Sequence, residues 1–564
     1  MSTPHNAEKQ LAEWLSHEPE EPYRVELADL AEGIRSGDAQ ARHSAELLFS
    51  HRLRFGTAGI RGPMRPGPAG MNRVVVTQTT AGLARYLIER GTEGGATPIT
   101  VVVGYDGRNH SAQFARDTVE VLSGHGLRAL LLPKLLPTPV LAFAVRRLAA
   151  DAGIMITASH NPADDNGYKV YLGGEDEGSQ IVPPVDGEIE KHIQAVSSSV
   201  NFSNIPRSTD HIEVVDDTIV GDYIRATVSS LDLPPVESPA VSVVYTAMHG
   251  VGAETFLKAT EAANLPRPHL VEKQCEPDGS FPTVSFPNPE EKGALDLAFA
   301  EARSVGADLI IAHDPDADRL AVAVATPHGD SRYQTLTGNQ VGAILGWYVA
   351  HRATSSGQLG ALANSLVSSP VLGKIAQHFG LQHQETLTGF KYVSRVSNLI
   401  FGFEEALGYL VTPDVVRDKD GISAGLLMMS LANSLRAGGQ SLLDYLGKIE
   451  ETVGAFASGQ VTIRLKEDTS ASTITEGIRA LQLTEIDGIP VSQNDDFAKG
   501  VGSFPHEDIL RFYLADGSRV IVRPSGTEPK VKLYLDTTGD TNDEASMKLR
   551  RLESALNELV SSLS

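Results

Sequence analysis

The segment Thr157-Ala158-Ser159-His160-Asn161-Pro162 places a serine and a histidine directly after the apolar run 152–157. Ligands of open α/β sheets bind beyond the carboxyl ends of the strands, which is where this segment would lie. Ser159 is therefore a candidate nucleophile, and His160 is a candidate proton carrier or substrate contact. The alternative is a polar turn whose side chains bond only to nearby backbone, since short motifs of this kind often arise by chance.

A second segment, Asp314-Pro315-Asp316-Ala317-Asp318-Arg319, carries three carboxylates after the apolar run 307–312. Alternate spacing points these carboxylates toward one locus, where their charges repel each other unless a cation neutralises them. An EF-hand is excluded, because Arg319 and Ala325 stand where that loop needs glycine and glutamate. Hard oxygen ligands favour Mg²⁺ over zinc. The segment predicts a magnesium site, with a solvated acidic turn as the alternative.

Two further segments carry groups that bind phosphates and hydroxyls. Residues 523–530 (Arg-Pro-Ser-Gly-Thr-Glu-Pro-Lys) combine a guanidinium, two hydroxyls and a glycine between stiffening prolines, which are the parts of a phosphate cradle. A turn with solvated charges is the alternative. Residues 402–408 contain Glu404 and Glu405, which could accept hydrogen bonds from sugar hydroxyls. An acidic helix N-terminus explains that pair equally well.

Composition limits the possible functions. The chain has 564 residues, which at roughly 150 residues per domain suggests about four domains. Its 48 Lys and Arg against 71 Asp and Glu give a formal net charge of −23, which disfavours nucleic acid and anionic membranes as partners. The one cysteine, Cys275, excludes an intrachain disulfide and cysteine-cluster metal sites. We find neither a signal peptide nor an apolar run of about 18 residues, and therefore expect a cytoplasmic protein.

The motifs sit among alternating strand and helix patterns. Apolar runs at 99–104, 129–132, 152–157, 241–246 and 307–312 alternate with helical spacing, which is typical of α/β units with buried parallel strands. Residues 1–50 predict helices that lead into the first domain. Breaks are expected near 197–208, 326–333 and 454–459.

Together the four motifs resemble the phosphoserine, metal, sugar and phosphate loops of the α-D-phosphohexomutase superfamily, the phosphoglucomutase/phosphomannomutase group. Further matches lie at residues 55–62, 106–108, 138–139 and 287–290. The resemblance implies three α/β domains with mixed sheets and a smaller C-terminal α+β domain around a central cleft. We expect the domains at 1–208, 209–333, 334–453 and 454–564.

The resemblance also implies residue roles. Ser159 would be phosphorylated at rest, and Lys169 would be the general acid/base with His160 as its helper. Mg²⁺ would be held by the Ser159 phosphate together with Asp314, Asp316 and Asp318. The other implied contacts to phosphate and sugar are Arg61 and Arg319 beside the phosphoserine, Thr388, Gly389, Lys391, Glu404, Glu405 and Lys419 on the substrate, and Arg523, Ser525, Gly526 and Thr527 on the unreactive phosphate.

The sugar loop departs from many hexose-phosphate mutases, which carry Glu-x-Ser where this chain has Glu404-Glu405-Ala406. That form resembles the branch that includes phosphopentomutase. The expected activity is interconversion of glucose 1-phosphate and glucose 6-phosphate, activated by a sugar 1,6-bisphosphate, in a monomer or homodimer that binds sugar phosphates. Phosphomannomutase and phosphopentomutase activities stay open. A metal-dependent sugar phosphatase is the alternative from a different class, and the four motifs together argue against a silent sugar-phosphate sensor.

Overall fold

The computed structural model describes residues 4–57, 59–91, 98–326, 332–464, 471–524 and 530–561. The chain divides into two compact units. The first unit comprises Met1–Leu336 and Gly408–Ala437, and the second comprises Thr337–Leu407 and Gly438–Ser564.

The first unit opens with the helices that the sequence predicts for residues 1–50. They are α1 (Pro4–Leu15), α2 (Glu21–Ser36) and α3 (Ala39–Phe49). Asp38 begins α3 by accepting a hydrogen bond from the backbone N–H of Gln40 at 2.8 Å. The three helices share a small core of their own that includes Leu11, Leu27 and Phe49.

The first sheet carries the serine segment. Its elements are β1 (Ile60–Pro63), α4 (Arg73–Gly91), β2 (Thr100–Tyr105), α5 (Ser111–Gly124), β3 (Arg128–Leu131), α6 (Thr138–Arg147), β4 (Ala152–Ile156), β5 (Asp165–Leu172), β6 (Ser179–Gln180), α7 (Val185–Ser199), β7 (Ile212–Val214) and α8 (Thr218–Leu231). The main strand order is β1-β5-β4-β2-β3-β7. Strands β4, β2, β3 and β7 run parallel, whereas β5 is antiparallel to both of its neighbours β4 and β1.

The second sheet carries the acidic segment and is also mixed. Its elements are β8 (Val243–Thr246), α9 (Gly252–Ala262), β9 (His269–Leu270), α10 (Asp296–Val305), β10 (Leu309–His313), β11 (Leu320–Ala325) and β12 (Tyr333–Thr335). The strand order is β12-β11-β10-β8-β9. Strands β10 and β11 form an antiparallel hairpin, and residues 314–319 form the turn that connects them.

The second unit begins with α11 (Gly338–Ser355), β13 (Ala361–Ser365), α12 (Val371–Phe379), β14 (Gln382–Thr386), α13 (Phe390–Val393) and β15 (Leu399–Glu404). Strand β13 pairs in parallel with both β14 and β15. The chain then returns to the first unit for β16 (Gly408–Leu410) and α14 (Gly421–Ala437).

The C-terminal part of the second unit is an antiparallel sheet with helices. It comprises α15 (Leu442–Val453), β17 (Ala455–Arg464), α16 (Ala471–Ala480), β18 (Glu485–Ile486), β19 (Ile489–Asp496), β20 (Leu510–Leu514), β21 (Arg519–Pro524), β22 (Lys530–Gly539) and α17 (Asn542–Ser561). The strand order is β17-β22-β21-β20-β19-β18. The sequence predicts a break between domains near 454–459. In the structure β17 begins at Ala455, so that only Gly454 of this range lies outside a helix or strand.

Cys275 is buried, and its thiol donates a hydrogen bond to the carbonyl of Val271. Burial raises the pKa of this thiol to about 11.

Within the described ranges, every helix is too short or too polar to cross a lipid bilayer.

Candidate active site

Ser159 lies just beyond the end of β4. Its φ of 55° is a left-handed conformation that is uncommon for a residue with a Cβ and is concentrated at functional sites. Its backbone N–H donates to Thr157 Oγ1 at 2.8 Å, and its hydroxyl donates to Asp314 Oδ2 at 2.8 Å. The turn therefore holds a buried hydroxyl against the acidic loop, defined as Asp314–Arg319.

Arg108 fixes the backbone of the serine loop, defined as residues 157–165. Its guanidinium is buried and donates, at 2.5–3.0 Å, to the carbonyl oxygens of Ser159, Asn161, Pro162 and Asp165. The motif at residues 106–108 is recognisable in the sequence, yet no spacing rule assigns this task to an arginine 51 residues before the serine. The sequence alone therefore does not reveal this role of Arg108.

The acidic loop joins β10 to β11, and its three carboxylates are fully buried. One oxygen from each of Asp314, Asp316 and Asp318 lies within 4.8 Å of the others. Asp316 Oδ1 and Asp318 Oδ1 are buried without a hydrogen-bond partner among the described residues. Buried charged oxygens without partners are costly, and three converging carboxylates suit a hard divalent cation. The residues present therefore fit a bound metal ion.

Lys169 on β5 balances part of this negative charge. Its Nζ donates to Asp316 Oδ2 at 2.7 Å and to Asp318 Oδ2 at 2.8 Å. Burial would lower the pKa of Lys169, but the two carboxylates outweigh burial and raise that pKa above its ordinary value. Lys169 is therefore protonated in this arrangement. In contrast to Lys169, whose charge is favoured, Asp314 has a pKa well above its usual range, which burial and the other two carboxylates raise.

Thr138, at the start of α6, also holds the acidic loop. Its hydroxyl donates to Asp316 Oδ2 at 2.7 Å, and its backbone N–H donates to the Asp316 carbonyl at 3.0 Å. In the sequence, Thr138 is recognisable only as part of a match to the family, and its contact with Asp316 is not predicted.

The structure brings four further predicted residues to this locus. Arg61 Nη1 donates to Asn161 Oδ1 at 2.9 Å, and His160 Nδ1 lies 3.3 Å from Ser159 Oγ. Burial, reinforced by the charges of Arg319 and Arg61, lowers the pKa of His160 well below its ordinary value. His160 is therefore neutral. Arg319 Nε lies 4.0 Å from Asp314 Oδ2, and Lys419 Nζ lies 3.3 Å from Asp318 Oδ2.

Lys419 reaches the acidic loop because the segment before α14 is tied to elements of the first unit. Asp418 Oδ2 accepts hydrogen bonds from Tyr171 Oη at 2.9 Å and from Gln180 Nε2 at 2.8 Å. Asp420 accepts from Tyr223 Oη at 2.9 Å. Lys419, for which the resemblance implies a contact to the substrate, lies beside the acidic loop in the structure.

His313 links the acidic loop to α14. Burial lowers the pKa of His313 to about 4, so the ring is neutral. Its Nε2 donates to the carbonyl of Gly421 at 2.9 Å, which leaves Nδ1 to accept from Tyr245 Oη at 3.0 Å. Gly421 is required by close packing, since a Cβ there would lie 2.3 Å from the Arg319 carbonyl oxygen.

The predicted sugar residues lie in the second unit. Glu404 Oε1 accepts from the backbone N–H of Gly389 at 2.7 Å, and Glu405 Oε2 accepts from Ser368 Oγ at 2.9 Å. Thr388 is half-buried in the turn between β14 and α13, and Lys391 lies in α13. The structure thus brings Glu404 and Gly389 together.

The predicted phosphate residues are described in part. Arg523 lies on β21 opposite Lys532 of β22. Ser525, Gly526 and Thr527 lie outside the described residues.

Models of four domains of the phosphoglucomutase/phosphomannomutase family match the chain. The alpha/beta/alpha domains I, II and III match residues 52–199, 221–329 and 337–452, and the C-terminal domain matches residues 479–553. These matches cover far more than half of the chain.

Three relatives match over nearly their whole length. A protein of Haemophilus influenzae named "Probable phosphomannomutase" is 48% identical, over 87% of this chain and 98% of its own. A phosphoglucomutase of Staphylococcus aureus is 33% identical, over 89% of this chain and 93% of its own. A phosphopentomutase of Pongo abelii is 34% identical, over 91% of this chain and 89% of its own.

The fold is also that of a solved structure from Paramecium, the phosphoprotein pp63/parafusin, a phosphoglucomutase. The TM-score is 0.69 at 18% identity, over 91% of this chain and 96% of that chain. Four matched domains, three mutase relatives and a shared four-domain fold lead to one conclusion. The chain belongs to the phosphoglucomutase/phosphomannomutase family of the α-D-phosphohexomutase superfamily and is a mutase, an enzyme of the isomerase class.

Proposed function

We propose that the enzyme interconverts glucose 1-phosphate and glucose 6-phosphate through a phosphoserine at Ser159 and glucose 1,6-bisphosphate. The observation that carries this proposal is the buried Ser159 hydroxyl, 2.8 Å from Asp314 in a loop of three converging carboxylates. A hydroxyl held against a cation site, among Lys and Arg side chains, suits an acceptor and donor of phosphoryl groups.

The choice of glucose has separate support. Relatives of this chain include a phosphoglucomutase, and adjacent Glu404 and Glu405 suit a sugar with several free hydroxyls. Mannose 1-phosphate is the competing substrate, since a relative at 48% identity is named "Probable phosphomannomutase". Ribose 1-phosphate is a third, because a phosphopentomutase is 34% identical.

Asp314, Asp316, Asp318 and a phosphate oxygen on Ser159 would hold Mg²⁺, which would supply Lewis-acid stabilisation of charge on the transferring group. Arg61 and Arg319 would lie beside the same phosphate. Lys169 would lose the counter-charge of Asp316 and Asp318 once those carboxylates bind a cation, and its pKa would then fall toward the range useful for proton transfer.

The reaction then has two balanced steps. In the first, the bond between Ser159 Oγ and phosphorus breaks as O6 of glucose 1-phosphate bonds to phosphorus. Lys169, assisted by neutral His160, takes the O6 proton and passes it to the departing Ser159 Oγ. In the second, the bisphosphate has reoriented, its O1–phosphorus bond breaks as Ser159 Oγ bonds to that phosphorus, and the Ser159 proton passes through Lys169 to O1. Thr388, Gly389, Lys391, Glu404, Glu405 and Lys419 would contact the sugar or its phosphate, and Arg523, Ser525, Gly526 and Thr527 would hold the unreactive phosphate.

The test is an assay of purified enzyme with glucose 1-phosphate, Mg²⁺ and a trace of glucose 1,6-bisphosphate. We expect glucose 6-phosphate as the product and a phosphate ester on Ser159 in mass spectra of quenched enzyme. Ser159→Ala should abolish turnover and leave the melting temperature within a few degrees of wild type. Release of inorganic phosphate without glucose 6-phosphate would instead identify a sugar phosphatase. Comparison of the kcat/KM for glucose 1-phosphate with those for mannose and ribose 1-phosphates identifies the preferred substrate.

A further inference from the structure

Ser368 lies in the turn between β13 and α12 and is completely buried. Its hydroxyl donates to Glu405 Oε2 at 2.9 Å and accepts from the backbone N–H of Glu405 at 3.0 Å. It also lies 2.8 Å from the hydroxyl of Ser365, which is equally buried. A hydroxyl has one donor and two acceptor sites, so Ser368 uses its full capacity: two of its three hydrogen bonds join it to Glu405, and the third joins it to Ser365.

Glu405 receives this support on one side only. Its Oε2 accepts from Ser368 and lies 3.3 Å from Ser365 Oγ, whereas its Oε1 has no hydrogen-bond partner among the described residues. One oxygen of the carboxylate is therefore held by the protein, and the other is left to contact a ligand. A carboxylate that accepts a hydrogen bond from a hydroxyl of a bound sugar must be held in a fixed orientation, and a hydrogen bond to one of its oxygens provides that orientation.

The backbone on both sides of this contact is also fixed. Gly338, at the start of α11, packs against the Glu405 carbonyl so closely that a Cβ would lie 1.8 Å from the oxygen. The carbonyl of Ser368 accepts from Arg519 Nη2 at 2.6 Å. Arg519 is itself buried and paired with Asp536 at 2.6 Å and with Glu385 at 2.9 Å. Neither partner in the Ser368–Glu405 contact can shift without disturbing a packed neighbour.

We propose that Ser368 is a positioning residue that orients the Glu405 carboxylate toward a hydroxyl of the sugar substrate. The inference rests on the proposed function, in which Glu405 contacts the sugar. Ser368 itself takes no part in phosphoryl transfer. Its loss is therefore expected to weaken substrate binding and to leave the chemical step nearly unchanged.

The experiment compares Ser368→Ala with Ser369→Ala in the full-length enzyme. Ser369 is the adjacent buried serine and has no hydrogen bond to Glu405, so it controls for loss of a buried hydroxyl in the same turn. We expect Ser368→Ala to raise KM for glucose 1-phosphate about tenfold and to change kcat less than about threefold. Ser369→Ala should keep the wild-type KM.

A second comparison separates positioning from folding. In a Glu405→Ala background, Ser368→Ala should cause no further rise in KM, because the carboxylate that it orients is gone. An unchanged KM in the Ser368→Ala single variant, or the same rise in both backgrounds, would overturn the inference. Wild-type turnover of glucose, mannose and ribose 1-phosphates is measured alongside, and the variants are compared on the sugar that is turned over best. Failure of wild type on glucose alone rejects the proposed substrate, and failure on all three overturns both proposals.

Discussion

Arg108 shows how one side chain can fix the backbone of a loop that is distant in the sequence, here residues 159–165. Its five N–H donors form a rigid fork, and the structure uses that fork on carbonyls from Ser159 to Asp165. A lysine has the same charge but cannot reach several carbonyls in fixed directions. The left-handed backbone at Ser159 depends on such external support, because the conformation is unfavourable by itself.

We therefore expect Arg108→Lys to lower kcat at least about tenfold and to lower stability by about 2 kcal/mol. Steady-state kinetics and thermal unfolding measure the two effects. Arg128→Lys is the matched control, since Arg128 is exposed and forms an ion pair with Glu213 at the surface. Wild-type kinetics in Arg108→Lys would show that the loop keeps its shape without the fork.

Asp420 gives a prediction about pH. Burial, only partly offset by hydrogen bonds from Ser423, Tyr223 and Ile422, raises the pKa of Asp420 from 3.8 to about 6. A raised pKa in the folded state means that stability is fully present below pH 3.8 and is lost as the pH rises through 6. This carboxyl alone should lower stability by about 2 kcal/mol between pH 4 and pH 7.

Asp420→Asn should remove that dependence, because an amide does not ionise and its oxygen can still accept from the N-terminus of α14. Melting temperatures measured from pH 4 to pH 8 should fall less steeply for Asp420→Asn than for wild type. Asp210→Asn, at an exposed position, serves as the control. Parallel curves for wild type and Asp420→Asn would contradict the assignment.

At the scale of helices and strands, two glycines differ in how closely other elements pack against them. Gly338 begins α11 against the Glu405 carbonyl, whereas Gly447 lies inside α15 with no atom within 4 Å of the position of an added Cβ. The same substitution is therefore expected to have opposite effects at the two positions. Gly338→Ala should lower the melting temperature and raise KM, because the sugar loop must move away from α11.

Gly447→Ala should stabilise the protein by about 0.5–1 kcal/mol, since alanine favours the helix and meets no neighbour. Thermal unfolding of the two variants beside wild type measures both changes. A stabilising effect of Gly338→Ala would show that the contact between α11 and the sugar loop is loose in solution.

The elements that end in a motif could be predicted from the sequence. The apolar runs before Ser159 and Asp314 are strands β4 and β10, and the helices expected in residues 1–50 are present. The contacts between distant segments could not be predicted. Arg108 and Ser368 lie 51 and 37 residues from the groups that they hold, and Lys419 lies 101 residues beyond Asp318. The periodicity of hydrophobic residues predicts which residues of one helix or strand are buried, but it does not predict which loops are in contact with each other.

At the scale of the whole molecule, a strongly acidic protein concentrates a few cationic side chains around its acidic loop. The formal net charge is −23, yet Arg61, Lys169 and Lys419 gather beside the acidic loop. The buried carboxylates of that loop must be compensated in the folded state. Metal binding should therefore be coupled to global stability.

We expect Mg²⁺ at about 100 times its dissociation constant to stabilise the enzyme by about 2.7 kcal/mol, and excess chelator to reverse the effect. Thermal unfolding with and without Mg²⁺ measures this shift without any need for turnover. Asp318→Asn should reduce the shift, whereas Asp216→Asn, at an exposed position, should leave it unchanged. An equal shift in wild type and Asp318→Asn would place the cation elsewhere.

The buried thiol of Cys275 has a practical consequence for studying motion in this enzyme. Its raised pKa and hidden sulfur make the native chain nearly inert to maleimides at neutral pH. A cysteine introduced at an exposed position would therefore take up a fluorophore or spin label selectively. Pairs of such labels would report distances in the working enzyme without removal of the native cysteine.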